Sequence, residues 1–404
     1  MRVLLLAPFF DRTTPGESWS TYKWVEGICR RYETTVLTQH RRTWNAAASP
    51  IEAKECINWT DPEIPGLQGR IAWELKPTYL LYYWRARRWL RQARREGRTF
   101  DLIHQINPLA LRYPTPARGW GIPYLVGPLA GSLPTPAALK AVTKEGTWYR
   151  QLRRLDSLRL RHDPWLRGTY ADAAAVIGVA PYVRETLAAC HPRRFEIMAE
   201  TGVEEIGATA KTRAPGPLRL LFVGRLIRTK GIVEAIESVA VAARNCDVTF
   251  DIVGQGDLGE VCRRKVSELG MEGRITLHGR ISKAEVFGWY ERSDAFLFPS
   301  YREPSGNVVF EAMGRGLPVI TTTIGGPGHV VTDACGFRIE PSAQATFAAG
   351  LASAICRLAA DPELYAAMSA AALERMKSLA LWPGKLEQLG LLYQDCVRKA
   401  SPER

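Results

Sequence analysis

Short apolar runs separated by helix-length segments recur along almost the whole chain, and this alternation constrains the fold more than any other feature. In the first half the runs are residues 3–7, 35–38, 101–104, 123–126, 174–178 and 195–198. In the second they are 218–223, 248–253, 275–278, 295–299 and 318–322, with helical candidates at 231–244, 258–270, 283–292 and 307–315 between them. A strand apolar on both faces belongs in a parallel sheet buried between helices, so each half reads as a doubly wound α/β domain. The stretch 204–216, with Gly207, Ala214, Pro215, Gly216 and Pro217 at or beside its end, has no periodicity and reads as a linker. At 404 residues the chain exceeds what one ordinary core holds. The expectation is two Rossmann-like domains, 1–203 and 217–381. Pro362 marks a helix start, and a last helix over 382–404 follows Trp382-Pro383.

The run 3–10 is followed at once by Asp11 and Arg12 without a small-residue cleavage site, which argues against a signal peptide. No stretch approaches the roughly 18 uninterrupted apolar residues of a spanning helix. The eight cysteines are scattered, without the paired spacing of a zinc site or the density of a disulfide scaffold. They read as small buried apolar residues in a reducing cytoplasm. The net charge is +13, and residues 1–210 carry 30 Lys and Arg against 20 Asp and Glu. The first half therefore suits an anionic partner, which charge alone does not identify.

Two segments of the second half carry chemistry. In Leu220 to Gly231 a buried strand runs into Gly224-Arg225, then Lys230 and a helix start. A glycine lets backbone approach a ligand, and a guanidinium with an ammonium can neutralise a diphosphate. In Glu303-Pro304-Ser305-Gly306-Asn307-Val308-Val309-Phe310-Glu311 two carboxylates flank a helix start. Pro304 and Ser305 suit the loop and cap, and the amides of Asn307, Val308 and Val309 would face an anion. Glu303 would stay in the loop, with Glu311 about two turns along the helix, where a carboxylate can accept from paired sugar hydroxyls.

Glu303 and Glu311 with Ser305-Gly306 between them resemble the E-x7-E motif of glycosyltransferase family 4, the group 1 glycosyltransferases of GT-B fold. Gly224-Arg225 with Lys230 is similar to the family's basic pair. Val253 to Gly256, His278 to Ser282 and Thr323 to Gly326 resemble its flanking segments in the right order. The likeness is strong over 217–335 and weak in the first half. It implies two domains facing a cleft, with the last helix crossing back to the first domain, and a retaining transfer from a nucleotide-diphosphate sugar. Arg225 and Lys230 would hold the diphosphate, Glu311 the ribose and Glu303 the donor sugar. Arg280-Ile281 would lie against the base, and Ser305 to Val309 would offer backbone. Catalysis would fall to Glu303, Arg225 and Lys230, with no metal or other cofactor required. Two departures stand out. Family members usually carry a glycine pair after the first strand, where this chain has Thr14-Pro15-Gly16-Glu17-Ser18, leaving Gly16 for that role. Many place a histidine after the strand that here continues Gly127-Pro128-Leu129, and His104 one strand earlier reads as structural.

Residues 79–95 interleave Leu, Tyr and Trp with arginines, the pattern of an amphipathic helix that can lie on an anionic bilayer, and the basic stretch 149–161 reinforces it. The competing reading packs the aromatics on the sheet and turns the arginines to water. With a membrane face, the acceptor would be a lipid-linked or polysaccharide glycan at the inner face of the plasma membrane. The rivals are a GT-B epimerase or phosphorylase, a catalytically degenerate scaffold, and a nucleic-acid binder, the last without any supporting motif.

Overall fold

A computed structural model of the chain describes residues 1–40, 44–62, 76–140, 143 and 154–400. The chain forms two compact units: Met1–Ser132 with Glu145–Glu200 and Trp382–Arg404, and Leu133–Lys144 with Thr201–Leu381.

The first unit is a seven-stranded, all-parallel sheet in the order β3-β2-β1-β4-β5-β6-β7. Its strands are β1 (Arg2–Leu6), β2 (Glu33–His40), β3 (Glu55–Thr60), β4 (Leu102–Gln105), β5 (Tyr124–Leu129), β6 (Ala175–Gly178) and β7 (Phe195–Ile197). Helices α1 (Glu17–Cys29), α2 (Tyr79–Arg95), α3 (Arg154–His162), α4 (Pro164–Ala171) and α5 (Pro181–Thr186) connect them. Successive strand residues point to opposite faces, so β1 feeds two cores at once. Leu4 and Leu6 join Tyr82, Tyr83 and Leu90 of α2, while Val3 and Leu5 join Val25 and Ile28 of α1. β3 was not anticipated, because it lies at the sheet edge and alternates half-buried with exposed residues instead of running apolar.

The second unit is a six-stranded parallel sheet in the order β10-β9-β8-β11-β12-β13. Its strands are β8 (Leu218–Val223), β9 (Val248–Val253), β10 (Ile275–Gly279), β11 (Ala295–Phe298), β12 (Val319–Thr322) and β13 (Gly336–Ile339). Its helices are α6 (Ile232–Ala242), α7 (Gly259–Glu268), α8 (Lys283–Arg292), α9 (Asn307–Met313), α10 (Gly325–Val330), α11 (Gln344–Ala360) and α12 (Pro362–Leu379). The stretch read as a linker is strapped to this unit. Gly207 N donates to Gly314 O at 2.7 Å, and the Lys211 ammonium caps the end of α8 through the carbonyls of Tyr290, Glu291 and Ser293. Residues 133–144 also group here although they follow β5, with Thr143 and Tyr301 hydroxyls 3.1 Å apart.

The last helix, α13 (Trp382–Ala400), belongs to the first unit and starts at Trp382 itself. It lies against α1 so closely that a Cβ on Gly27 would sit 2.3 Å from a Leu386 methyl. Overpacking of this kind costs about 1–3 kcal/mol, which keeps Gly27 small. Lys385 on the same helix is buried beside the Trp24 and Trp382 rings and donates to Ala199 O at 2.5 Å. Burial presses its ammonium down to about 7, with Glu200 opposing.

All eight cysteines are free, and five are buried. Cys56 is exposed, whereas Cys246 and Cys356 are partly exposed with their sulfurs 3.2 Å apart, a proximity that their spacing in the chain does not reveal. Among the described residues no helix is long and apolar enough to cross a membrane.

Candidate functional site

Because every strand of the second sheet runs the same way, the loops after β8, β9, β10, β11 and β12 all leave from one edge. The strand order reverses between β8 and β11, the place where open α/β sheets bind ligands. The loop after β8 holds Gly224, Arg225 and Lys230, and the loop after β11 holds Glu303, Ser305 and Gly306. Hydrogen bonds lock the two together. Tyr301 N and the Ser300 hydroxyl both donate to Thr229 O, at 3.2 and 3.1 Å, and Gly326 N at the head of α10, after β12, donates to Glu303 O at 3.1 Å. Gly231 begins α6 in the left-handed region at φ 70°, and a Cβ there would sit 2.1 Å from Pro299 O. Only glycine lets these loops pack this closely.

This packing brings together two residues that stand 73 apart in the chain. The Lys230 ammonium touches a Glu303 carboxylate oxygen, and the other oxygen accepts from Gly306 N at 3.2 Å. Both side chains are largely buried, with 14% and 15% exposure, and Lys230 lies 5.2 Å from the Phe298 ring centroid. Burial and then the Arg225 charge push the Lys230 pKa down, while the Glu303 contact acts in the opposite direction. Arg225 is exposed. Arg225 and Lys230 thus repel one another across the site, a repulsion that an added anion relieves. Gly224 has only ordinary contacts around its missing side chain, so nothing in the fold itself demands a glycine there.

The helix start differs from expectation in three ways. The N-cap of α9 is Gly306 at φ 83°, not Ser305, whose side chain is buried; the left-handed turn and the Glu303 carboxylate do the work expected of a serine hydroxyl. Val309 N donates to Gly306 O at 2.8 Å, which removes it from the set of outward amides and leaves those of Asn307 and Val308. Glu311 is the fifth residue of α9, little more than one turn in, and the helix stops at Met313.

Glu311 accepts from the hydroxyl of Tyr290 on α8 at 3.0 Å, a partner that the sequence reading missed. Burial raises the Glu311 pKa, with Lys283 and the Tyr290 bond working against it. Arg280 is exposed and Ile281 half-buried in the connection from β10 to α8, ahead of Ser282, whose hydroxyl and Glu285 form a capping box. Among the described residues no group of three or more His, Cys, Asp or Glu is placed to hold a metal ion.

In the first unit Gly16 is the exposed N-cap of α1 at φ 89°, with open space where a Cβ would lie. Glu17 beside it pairs with Lys76 at 2.6 Å and accepts from Leu109 N at 2.9 Å. His104 is buried. Its Nε2 lies 2.7 Å from Gly127 O, which can only accept, so Nε2 carries the proton and Nδ1 accepts from the Tyr393 hydroxyl at 2.5 Å. Burial lowers its pKa to about 4, so it is neutral and committed to the fold.

Helix α2 splits by face. Tyr79, Tyr82, Tyr83, Ala86, Leu90 and Ala93 are buried, while Leu80, Leu81 and Trp84 stand exposed at 52%, 38% and 59%. Arg88, Arg91, Arg94 and Arg95 are exposed, whereas Arg85 binds Gln39 and Thr60 O. On α3, Leu155 and Leu158 are also exposed. Residues 149–153 of the second basic stretch lie outside the described residues.

Residues 208–375 match the family model for glycosyl transferases group 1, and residues 16–198 match that for a glycosyl transferase 4-like domain. The chain belongs to the group 1 glycosyltransferases. It is 33% identical over 164 residues to the lipopolysaccharide core biosynthesis glycosyltransferase LpsD of Rhizobium meliloti, covering 39% of this chain and 43% of that protein. It is 30% identical over 174 residues to the glycogen synthase of Mycobacterium tuberculosis, covering 43% and 41%. The chain spans less than half the length of these relatives. Among solved structures it resembles Anabaena Alr3699/HepE in complex with UDP and glucose, with a TM-score of 0.61 and 16% identity over 98% of this chain and 100% of that one. Sucrose-phosphate synthase from Thermosynechococcus elongatus gives a TM-score of 0.64 and 19% identity over 99% and 100%. The group 1 glycosyltransferase thus has the GT-B fold of two Rossmann-like units.

Proposed function

We propose that the protein moves a sugar, with retention of anomeric configuration, from a nucleotide-diphosphate sugar to a glycan acceptor, and that the strand-end site of the second unit binds the donor. The observation that carries this reading is the buried Lys230–Glu303 contact, which sets an ammonium and a carboxylate side by side at the reversal of strand order, next to Arg225. The resemblance to a structure holding UDP and glucose fits it.

In this reading Arg225 and Lys230 bind the diphosphate and stabilise the negative charge that develops on it as the glycosidic C–O bond breaks, so no metal is required. The Asn307 and Val308 amides and Gly306 add dipoles, and Glu303 holds the sugar. Glu311 accepts from the ribose hydroxyls, held in place by Tyr290, while Arg280-Ile281 backs the base. Gly16 leaves backbone open at the head of α1. The leaving diphosphate takes the acceptor proton.

The acceptor is a lipid-linked or polysaccharide intermediate, and the protein works at the inner face of the plasma membrane. Exposed Leu80, Leu81 and Trp84, followed along α2 by exposed arginines, support a peripheral contact with anionic lipid. Charge reversal of Arg87, Arg88 and Arg91 together is expected to abolish binding to anionic liposomes.

A thermal-shift screen with UDP, GDP, ADP, TDP and their common sugar conjugates tests the donor assignment, since a ligand that binds the folded state raises its apparent stability. Stabilisation by one nucleotide, lost in Glu311→Ala and Lys230→Ala, is expected. Equal stabilisation of both variants would place the nucleotide elsewhere.

A further inference from the structure

A groove of about 790 Å³ opens on the first unit between α2 and α4, lined also by the loop that leads into β5. Its walls bring Arg87 and Arg91 of α2 together with Arg118 of that loop, and with Trp84, Trp165 and Asp172. Three guanidinium groups therefore face one carboxylate, and Asp172 is already taken by the Arg118 Nε at 2.5 Å. Arg87 is held in place. It donates to Arg118 O at 3.0 Å, and its guanidinium carbon lies 5.1 Å from the Trp120 ring centroid. Arg91 is exposed and has no ion pair or hydrogen bond among the described residues.

The groove has an apolar end. Trp84 and Trp165 stand with ring centroids 6.3 Å apart, and Trp165 is fixed by its Nε1 bond to the Tyr83 hydroxyl at 2.9 Å. Leu80, Trp84, Arg87 and Arg91 follow one another at spacings of four, three and four residues, so they form one stripe along the helix. The stripe passes from an exposed leucine through an exposed tryptophan to two arginines. A planar guanidinium pairs with phosphate oxygens, and an indole ring sits well at the boundary between lipid and water.

We propose that this groove binds the headgroup of a single anionic glycerophospholipid, its phosphate between Arg87, Arg91 and Arg118 and its acyl chains against Trp84, Leu80 and Leu81. A free phosphate would satisfy the arginines but would leave the exposed apolar end of the stripe without a role. The inference rests on the membrane contact proposed above and narrows it from a charged face to one saturable site.

The test titrates the whole protein with monomeric, short-chain dihexanoyl phosphatidic acid, followed by tryptophan fluorescence, beside flotation on phosphatidylcholine vesicles with and without phosphatidylglycerol. Arg91→Ala is compared with the double variant Arg94→Ala and Arg95→Ala, which removes two exposed charges of the same helix from outside the groove. Saturable binding of the monomeric lipid, weakened about tenfold by Arg91→Ala and unchanged in the double variant, is expected. Equal weakening in both, or binding of inorganic phosphate as tight as that of the lipid, overturns the site. Vesicle flotation without saturable binding of the monomer overturns the site while leaving the membrane contact standing. Failure of both measurements removes the two together.

Discussion

The two units are built on the same plan, a parallel sheet whose strand order reverses beside its first strand, yet they place charge at that reversal differently. In the first unit two titratable groups near the strand ends, Glu17 and His104, are spent on the fold. Glu17 sits in the first turn of α1, where the helix dipole favours an anion, and is held by Lys76 and Leu109 N. His104, at the third residue of β4, is neutral and bridges Gly127 O and Tyr393. In the second unit Lys230 is set against its own preference, buried beside Arg225 and balanced by Glu303. Shared architecture brings loops to one edge in both units, and in the proposed function the residues on those loops decide which edge takes the diphosphate.

The comparison breaks first at Lys230. Lys230→Ala should lower sugar transfer by about 10²–10³-fold, the range for loss of one group that stabilises developing charge, and Glu303→Ala should fall in the same range. Steady-state rates with the donor found by thermal shift would check both. Glu311→Ala should weaken nucleotide binding by about tenfold or more, the worth of a hydrogen-bonded charged group, and should erase any preference for the ribo- over the 2′-deoxyribonucleotide in a competition assay. A loss of transfer with that preference intact would take Glu311 away from the ribose.

His104→Ala sharpens the contrast from the other side. It leaves Gly127 O and the Tyr393 hydroxyl buried without a partner, at a cost of about 1–3 kcal/mol, so urea unfolding should show a lowered midpoint while nucleotide affinity stays unchanged. The smallest effect concerns pH. Burial and Arg225 lower the Lys230 pKa in the free protein, and a bound diphosphate would raise it again, so nucleotide uptake carries a proton with it. Affinity should therefore fall as pH rises past neutrality. Lys230→Arg, which keeps its charge throughout, should flatten that slope with little change at acid pH.

Much of the second unit was legible because its central strands are rich in buried apolar residues: 218–223 and 248–253 coincide with β8 and β9. The edge strands β3 and β13 were not, since β3 alternates with exposed residues and β13 is a four-residue strand broken by the exposed Arg338, so neither shows an apolar run. Within the site, the residue types were readable from their order but their pairing was not. Lys230 meets Glu303 only because Gly231 lets α6 begin against the end of β11. Tyr290 lies 21 residues before Glu311 on another helix, and no local spacing signals that bond. Ser305 looked like the cap by composition, whereas the turn was decided by the left-handed backbone of Gly306. In the first unit the arginines of α2 were visible as charge, but the groove needs Arg118 and Trp165 from distant segments.

In the proposed function the donor binds at the charged strand ends of the second unit. Isothermal titration of the nucleoside diphosphate that most stabilises the protein, into wild type, Lys230→Ala and His104→Ala, tests it most directly. Matching affinities for wild type and His104→Ala are expected, with binding by Lys230→Ala weakened at least about tenfold. Undiminished binding by Lys230→Ala, with loss confined to His104→Ala, would contradict this placement and move the nucleotide to the first unit.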